Sequence, residues 1–190
     1  MGNIKSVAVF AGSSFGLDDC FRKSAEELGR AIGEKKIKLI YGGGTKGLMG
    51  VVSRCASENS EVIGVLPESM NIPSVVKEMN YGRLVLVKNM HERKKLMYDL
   101  SDGFIALPGG IGTVEELTEI YTWRQLEYHQ KNIALLNTNG FWDPFIEFLD
   151  KATALGFISE KVRDLLIVES DAEKLLYRMN NERKAIDHKL

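Results

Sequence analysis

Cysteine, tryptophan, histidine and proline are all scarce in this 190-residue chain, at two, two, three and four residues. The two cysteines, Cys20 and Cys55, lack close spacing. That excludes a disulfide framework and leads us to expect reduced thiols in a soluble, cytoplasmic protein. Three histidines, His91, His129 and His188, leave too few ligands at metal spacing, so no metal is expected. His91 and Glu92 open an H-E-x-x-H pattern, but position 95 is lysine and the second ligand is missing. Charge of one sign is lacking too. Lys plus Arg number 25 against 26 for Asp plus Glu, so no broad field exists to hold nucleic acid or an anionic membrane. No apolar run approaches the ~18 residues of a membrane span, and no basic-then-apolar leader opens the chain. "MGNIKS" fits a myristoylation pattern by letter, with Gly2 and Ser6, but reads more simply as a lead into the first strand.

What the chain does have is alternation. The β-branched runs "SVAVF", "IKLIY", "EVIGVL", "RLVLV", "GFIAL", "NIALLN" and "LLIVES" read as strands. Their nearly unbroken apolar character suits strands covered on both faces. Between them lie amphipathic segments at 18–36, 47–59, 91–100, 113–129 and 144–155, read as helices. The pattern predicts an α/β, Rossmann-like single domain over residues 1–190, with a mostly parallel sheet of about seven strands and helices on both faces. "PESMNIPSVVKEMNYG", residues 67–82, holds two of the four prolines and reads as a loop or short broken helix.

In such a sheet, ligands sit beyond the carboxyl ends of the strands. Three of the loops there are glycine-rich: "AGSSFG" at 11–16, including Gly12 and Ser13, "YGGGTKGLMG" at 41–50, and "PGGIGT" at 108–113. Glycine lets backbone N–H groups close on a ligand, and a helix N-terminus adds the positive end of its dipole, so these loops suit phosphate. The second loop lacks the Gly-Lys-Ser/Thr ending of a Walker A motif, and the first is not G-x-G-x-x-G, which favours a mononucleotide over a triphosphate or dinucleotide. No G-x-S-x-G elbow accompanies Ser13 and Ser14, so a serine triad is not indicated.

Two charged groups are candidates for chemistry. Thr113 and Glu116 have the S/T-x-x-E spacing of a capping box, which accounts for Glu116 without catalysis; Glu115 is expected to face solvent or an exposed neighbour. Arg93, Lys94 and Lys95 lie in the first turns of a predicted helix, where cations oppose the dipole. They form either a solvated basic face or, if Arg93 turns inward, a planar fork for phosphate or ribose oxygens.

The motifs together resemble a known family. "PGGIGTVEE" matches the PGGxGTxxE signature, and "MHERK" the companion signature, of the LOG family of cytokinin riboside 5′-monophosphate phosphoribohydrolases, once commonly labelled lysine decarboxylases. "YGGGTKGLMG", "TWRQLEYHQK" and "LLNTNGFWDPFIEFLD" fall in family order. The resemblance implies hydrolysis of the N-glycosidic bond of adenosine 5′-monophosphates, notably N6-modified ones, without a cofactor. It implies catalytic roles for Arg93 and Glu116 and a phosphate-binding turn at Gly109, Gly110, Gly112 and Thr113. Lys94 would be a nearby cationic contact and Thr122 a weaker substrate contact, with Gly12 and Ser13 on the adjoining loop. It further implies a homodimer, for which apolar positions at 113–129 and 141–155 could supply the interface. The segment "NIPSVVKEMNYG" departs from the family pattern beside the expected base. A non-catalytic nucleotide or pterin-cofactor carrier on the same scaffold is the alternative. A pyridoxal-phosphate decarboxylase has little in the sequence to support it, since no local pattern singles out a Schiff-base lysine.

Overall fold

The computed structural model describes residues 4–73, 75–76 and 81–182. Gly2 and His188 lie outside that range, as does part of the 67–82 stretch. Seven strands form one parallel sheet: β1 (Ser6–Phe10), β2 (Lys38–Tyr41), β3 (Val62–Pro67), β4 (Arg83–Val87), β5 (Gly103–Ala106), β6 (Asn132–Leu136) and β7 (Leu166–Glu169). Their spatial order is β4-β3-β2-β1-β5-β6-β7. The Rossmann-like α/β expectation therefore holds, with each predicted strand present to within a residue or so at its ends.

Strand β1 is buried along its whole length, and its residues divide between two cores. Val7 and Val9 pack with Leu28, Ile32, Val52 and Leu176 on one face, while Ala8 and Phe10 pack with Met97, Phe104, Leu117 and Leu149 on the other. Period-two alternation on a strand covered from both sides produces this split and removes the apolar/polar signature of a half-exposed strand. The first face is covered by α1 (Asp19–Glu34), α2 (Gly47–Ser57) and α7 (Ala172–Asn181). The second is covered by α3 (Met90–Asp99), α4 (Ile111–Gln125), α5 (Asp143–Ala154) and the single turn α6 (Glu160–Arg163). Neither α6 nor α7 is among the helices named from sequence. After Pro67 ends β3, the irregular stretch to residue 82 contains a 3-10 turn at Glu68–Met70 and no other helix or strand among its described residues.

From β1 the chain steps outward through β2, β3 and β4, then returns to lay β5 against the opposite edge of β1. Where consecutive connections diverge to opposite sides, the carboxyl ends of the strands leave a crevice. Here it opens between β1 and β5, with β2 alongside, and the three glycine loops meet there.

Candidate active site at the sheet switch point

The loop after β1 ties the other two together. Gly12 N–H donates to Pro108 O (3.0 Å), while Gly12 O and Ser14 O accept from Met49 N–H (3.2 Å) and Leu48 N–H (3.4 Å). Gly47 permits the approach. Its φ is +60°, and a Cβ there would stand 2.2 Å from the Ser13 carbonyl carbon. Two of the first three amides of α2, those of Leu48 and Met49, are thus taken by protein carbonyls.

Helix α4 is different. It starts at Ile111, two residues before the predicted segment, with Gly110 as an N-cap that makes no side-chain cap bond. Among the described residues, the N–H groups of Ile111, Gly112 and Thr113 have no hydrogen-bond partner. Orphan donors and a dipole end of this kind suit an anion. The glycines here carry a further clue. A Cβ at Gly110 or Gly112 would meet nothing within 4 Å, and neither has a positive φ. Packing gives no reason for glycine at either position, so the open space they border is the reason. Gly109 differs: a Cβ there would lie 2.1 Å from Thr113 Oγ1 and 2.9 Å from Gly12 N, so it serves the close packing of the loops.

The early start of α4 also decides the reading of Thr113. It stands at the third helical position, buried, and cannot be an N-cap. The capping box with Glu116 does not form. The cap-and-carboxylate arrangement occurs instead at α3, where Asn89 Oδ1 accepts from Glu92 N–H (3.0 Å) and Glu92 Oε2 accepts from Lys88 N–H (2.9 Å).

Glu116 is free to do something else. Its Oε1 pairs with Arg93 Nη2 at 2.9 Å, and both side chains are 8% exposed. Burial pushes the Glu116 carboxyl above its ordinary range, and the Arg93 charge offsets part of that rise. The Arg93 guanidinium packs closely on the exit of β2: a Cβ on Gly42 would fall 2.0 Å from its Nη2. Its Nη1 faces Met90 Sδ at 3.6 Å, while its buried Nε has no partner among the described residues. The three basic residues of α3 therefore diverge. Arg93 turns into the site, Lys94 bonds Glu115 and Glu119 (3.0 Å) on α4, and Lys95 pairs with Asp99 (2.6 Å) at the surface.

The loops and helices enclose a cavity of about 560 Å³. Gly12, Ser13, Arg93, Gly110, Gly112, Thr113 and Glu116 line it, bringing most of the sequence-derived set together. Gly109, Lys94 and Thr122 do not reach its wall. Thr122 is exposed on α4, its Oγ1 donating to Thr118 O at 2.7 Å. Sequence reasoning marked the loop at 41–50 but named neither Gly42 nor Lys46 as a site residue, and it passed over the apolar sector of Met49, Met70 and Met90. The run of three glycines after β2 was a signal for Gly42. For the methionines, on three separate elements, no local pattern exists.

A protein-family model described as "Possible lysine decarboxylase" matches residues 49–179. The chain is 43% identical over 176 residues to the cytokinin riboside 5′-monophosphate phosphoribohydrolase LOG of Oryza sativa subsp. japonica, covering 92% of this chain and 72% of the relative. It is 39% identical over 184 residues to the enzyme of that name designated LOG7 in Arabidopsis thaliana, covering 96% and 84%. Among solved structures, the molybdenum cofactor binding protein from the phototrophic bacterium Rippkaea orientalis superposes with a TM-score of 0.66 at 20% identity, over 93% of this chain and 95% of that one. That likeness is one of fold.

Proposed function

The chain belongs to the LOG family of phosphoribohydrolases, and from that premise we propose that it hydrolyses the N-glycosidic bond of adenosine 5′-monophosphate or an N6-modified form, giving the free base and ribose 5-phosphate. The observation that carries this reading is the buried Glu116–Arg93 pair on the wall of a cavity that also displays the unpaired amides of α4.

The chemistry follows from that layout. The phosphate sits on the N–H groups of Ile111, Gly112 and Thr113, so binding energy from a group that does not react positions the ribose. As the C1′–N9 bond lengthens, positive charge builds on the sugar and its electron pair leaves with the base. Glu116 faces that charge, stabilises it, and orients a water whose oxygen bonds to C1′. Arg93 anchors Glu116 through Nη2 and, as part of the cavity wall, presents its guanidinium to a sugar or phosphate oxygen. The water's proton balances the charge on the departing base.

The family's decarboxylase description does not fit the cavity. A pyridoxal-phosphate Schiff base calls for a lysine held in a desolvating pocket, whereas the lysine on this wall, Lys46, is exposed. The chain is further read as a cytoplasmic homodimer. The free Cys20 and Cys55 support the first, and the exposed Leu126 at the end of α4 with Phe148 on α5 support the second.

The test incubates the protein and a Glu116→Gln variant with AMP and N6-isopentenyl-AMP, following base and ribose 5-phosphate by chromatography. Release by wild type that falls at least about 100-fold in the variant is expected. A folded protein that binds AMP but releases no base from either nucleotide would overturn the enzymatic reading in favour of a carrier.

A further inference from the structure

We propose that Lys46 is a specificity-determining residue of this cavity, the counter-charge for the ligand's phosphomonoester, which sets the preference for nucleotide over nucleoside. The inference rests on the reading of the ligand as a nucleoside 5′-monophosphate.

Among the described residues, four charged side chains line the cavity: Lys46, Arg93, Glu115 and Glu116. Three are already matched. Arg93 and Glu116 neutralise each other, and Glu115 is paired with Lys94, which reaches it from outside the wall. Among the described residues, the Lys46 ammonium has neither an ion pair nor a hydrogen bond. It is the uncompensated charge of the site. A phosphomonoester brings between about −1.5 and −2 at neutral pH, whereas a helix N-terminus supplies only about +0.5. The amides of α4 thus leave most of the phosphate charge unmatched.

Position supports the assignment. Lys46 is the N-cap of α2, makes no side-chain cap bond, and holds a cation at the end of a helix where cations are disfavoured. Among the described residues nothing compensates that placement, and the Leu48 and Met49 amides of α2 are taken by Ser14 O and Gly12 O. Its neighbour Gly47 packs against the Ser13 backbone, and Gly12 is bonded to Pro108 at the lead into α4. Lys46 and the open amides of α4 therefore flank the same loop, at whose tip Ser13 lines the cavity. An anion held there meets a dipole end from one side and an ammonium from the other.

The test compares wild type, Lys46→Met and Lys46→Arg. Steady-state kinetics use AMP and adenosine, which differ only in the phosphate, and calorimetry measures AMP binding at low and high salt. In Lys46→Met, KM for AMP should rise about tenfold with kcat nearly unchanged, as loss of one charge-assisted contact implies. The kcat/KM for adenosine should stay level, the salt dependence of AMP binding should weaken, and Lys46→Arg should restore most of the loss. A purely structural lysine would instead depress both substrates and the melting temperature together, which would overturn the proposal. Unchanged AMP affinity and salt dependence in Lys46→Met would overturn it as well, while leaving the hydrolase reading intact. If wild type binds AMP without hydrolysing it and Lys46→Met weakens that binding, the inference stands and the hydrolase reading falls. If wild type fails to bind AMP, both fall.

Discussion

At the scale of single residues, Gly42 matters because of what lies on it. A Cβ there would stand 2.0 Å from Arg93 Nη2, so any side chain at 42 must push the guanidinium off Glu116. Misplacement by an ångström can cost about 100-fold in rate, so Gly42→Ala should lower kcat/KM by about that factor while the far-ultraviolet circular dichroism stays native. Activity near the wild-type level would show that Arg93 does not need its present position. Glu116 gives a second prediction. Its carboxyl is raised above 4.5 by burial, so the ionised form needed beside a cationic transition state appears only at higher pH. The acid limb of kcat/KM should accordingly lie above 4.5. The linkage sign is the reverse of an ordinary salt-bridged carboxylate. A raised carboxyl favours the folded state below the unfolded value of 4.5, and that contribution is lost as pH climbs through the folded value. An acid limb at or below 4.5 would remove Glu116 as the group that must ionise.

At the scale of elements, the first turn of α4 sets function against stability. Glycine weakens a helix relative to alanine by up to about 1 kcal/mol, and a Cβ at Gly112 has open space around it. Gly112→Ala should therefore raise the denaturation midpoint yet weaken AMP binding measured by calorimetry. A stabilised variant with unaltered affinity would mean that the ligand does not approach that turn. The same helix marks the limit of what sequence revealed. The strand "SVAVF" was legible because burial on both faces demands apolar residues at every position, whereas "RLVLV", half-exposed at the sheet edge, was legible from its β-branched run alone. The glycine turn and the "HERK" helix were legible as candidates because their chemistry is local. The start of α4 was not. The Thr113-x-x-Glu116 spacing mimics a cap, and only the position of Pro108 and Gly109 against the first loop places the true helix start at Ile111. Nor does spacing tell which of Arg93, Lys94 and Lys95 turns inward, since that depends on how α3 and α4 sit on the sheet. Lys46 escaped because the role proposed for it rests on its having no partner among the described residues, a property of the assembled structure.

For the whole molecule, the sheet order makes one cavity wall from loops far apart in sequence, and the chain's near balance of charge leaves selectivity to that wall. The dimer reading belongs here: light scattering should give about twice the 21.3 kDa chain mass, and charged substitutions at Leu126 and Phe148 should shift it toward the monomer. A monomeric wild type would remove that reading. The mutual neutralisation of Arg93 and Glu116 has an implication for ancestry. Removing one partner of a buried pair typically costs about 3–5 kcal/mol, whereas replacing both with apolar groups is often neutral. A descendant that gave up hydrolysis while keeping the scaffold would meet a fitness valley at the single change and level ground at the double one. On the roles proposed for Arg93 and Glu116, catalytic identity in this architecture is thus inherited as a linked pair, retained whole or surrendered whole.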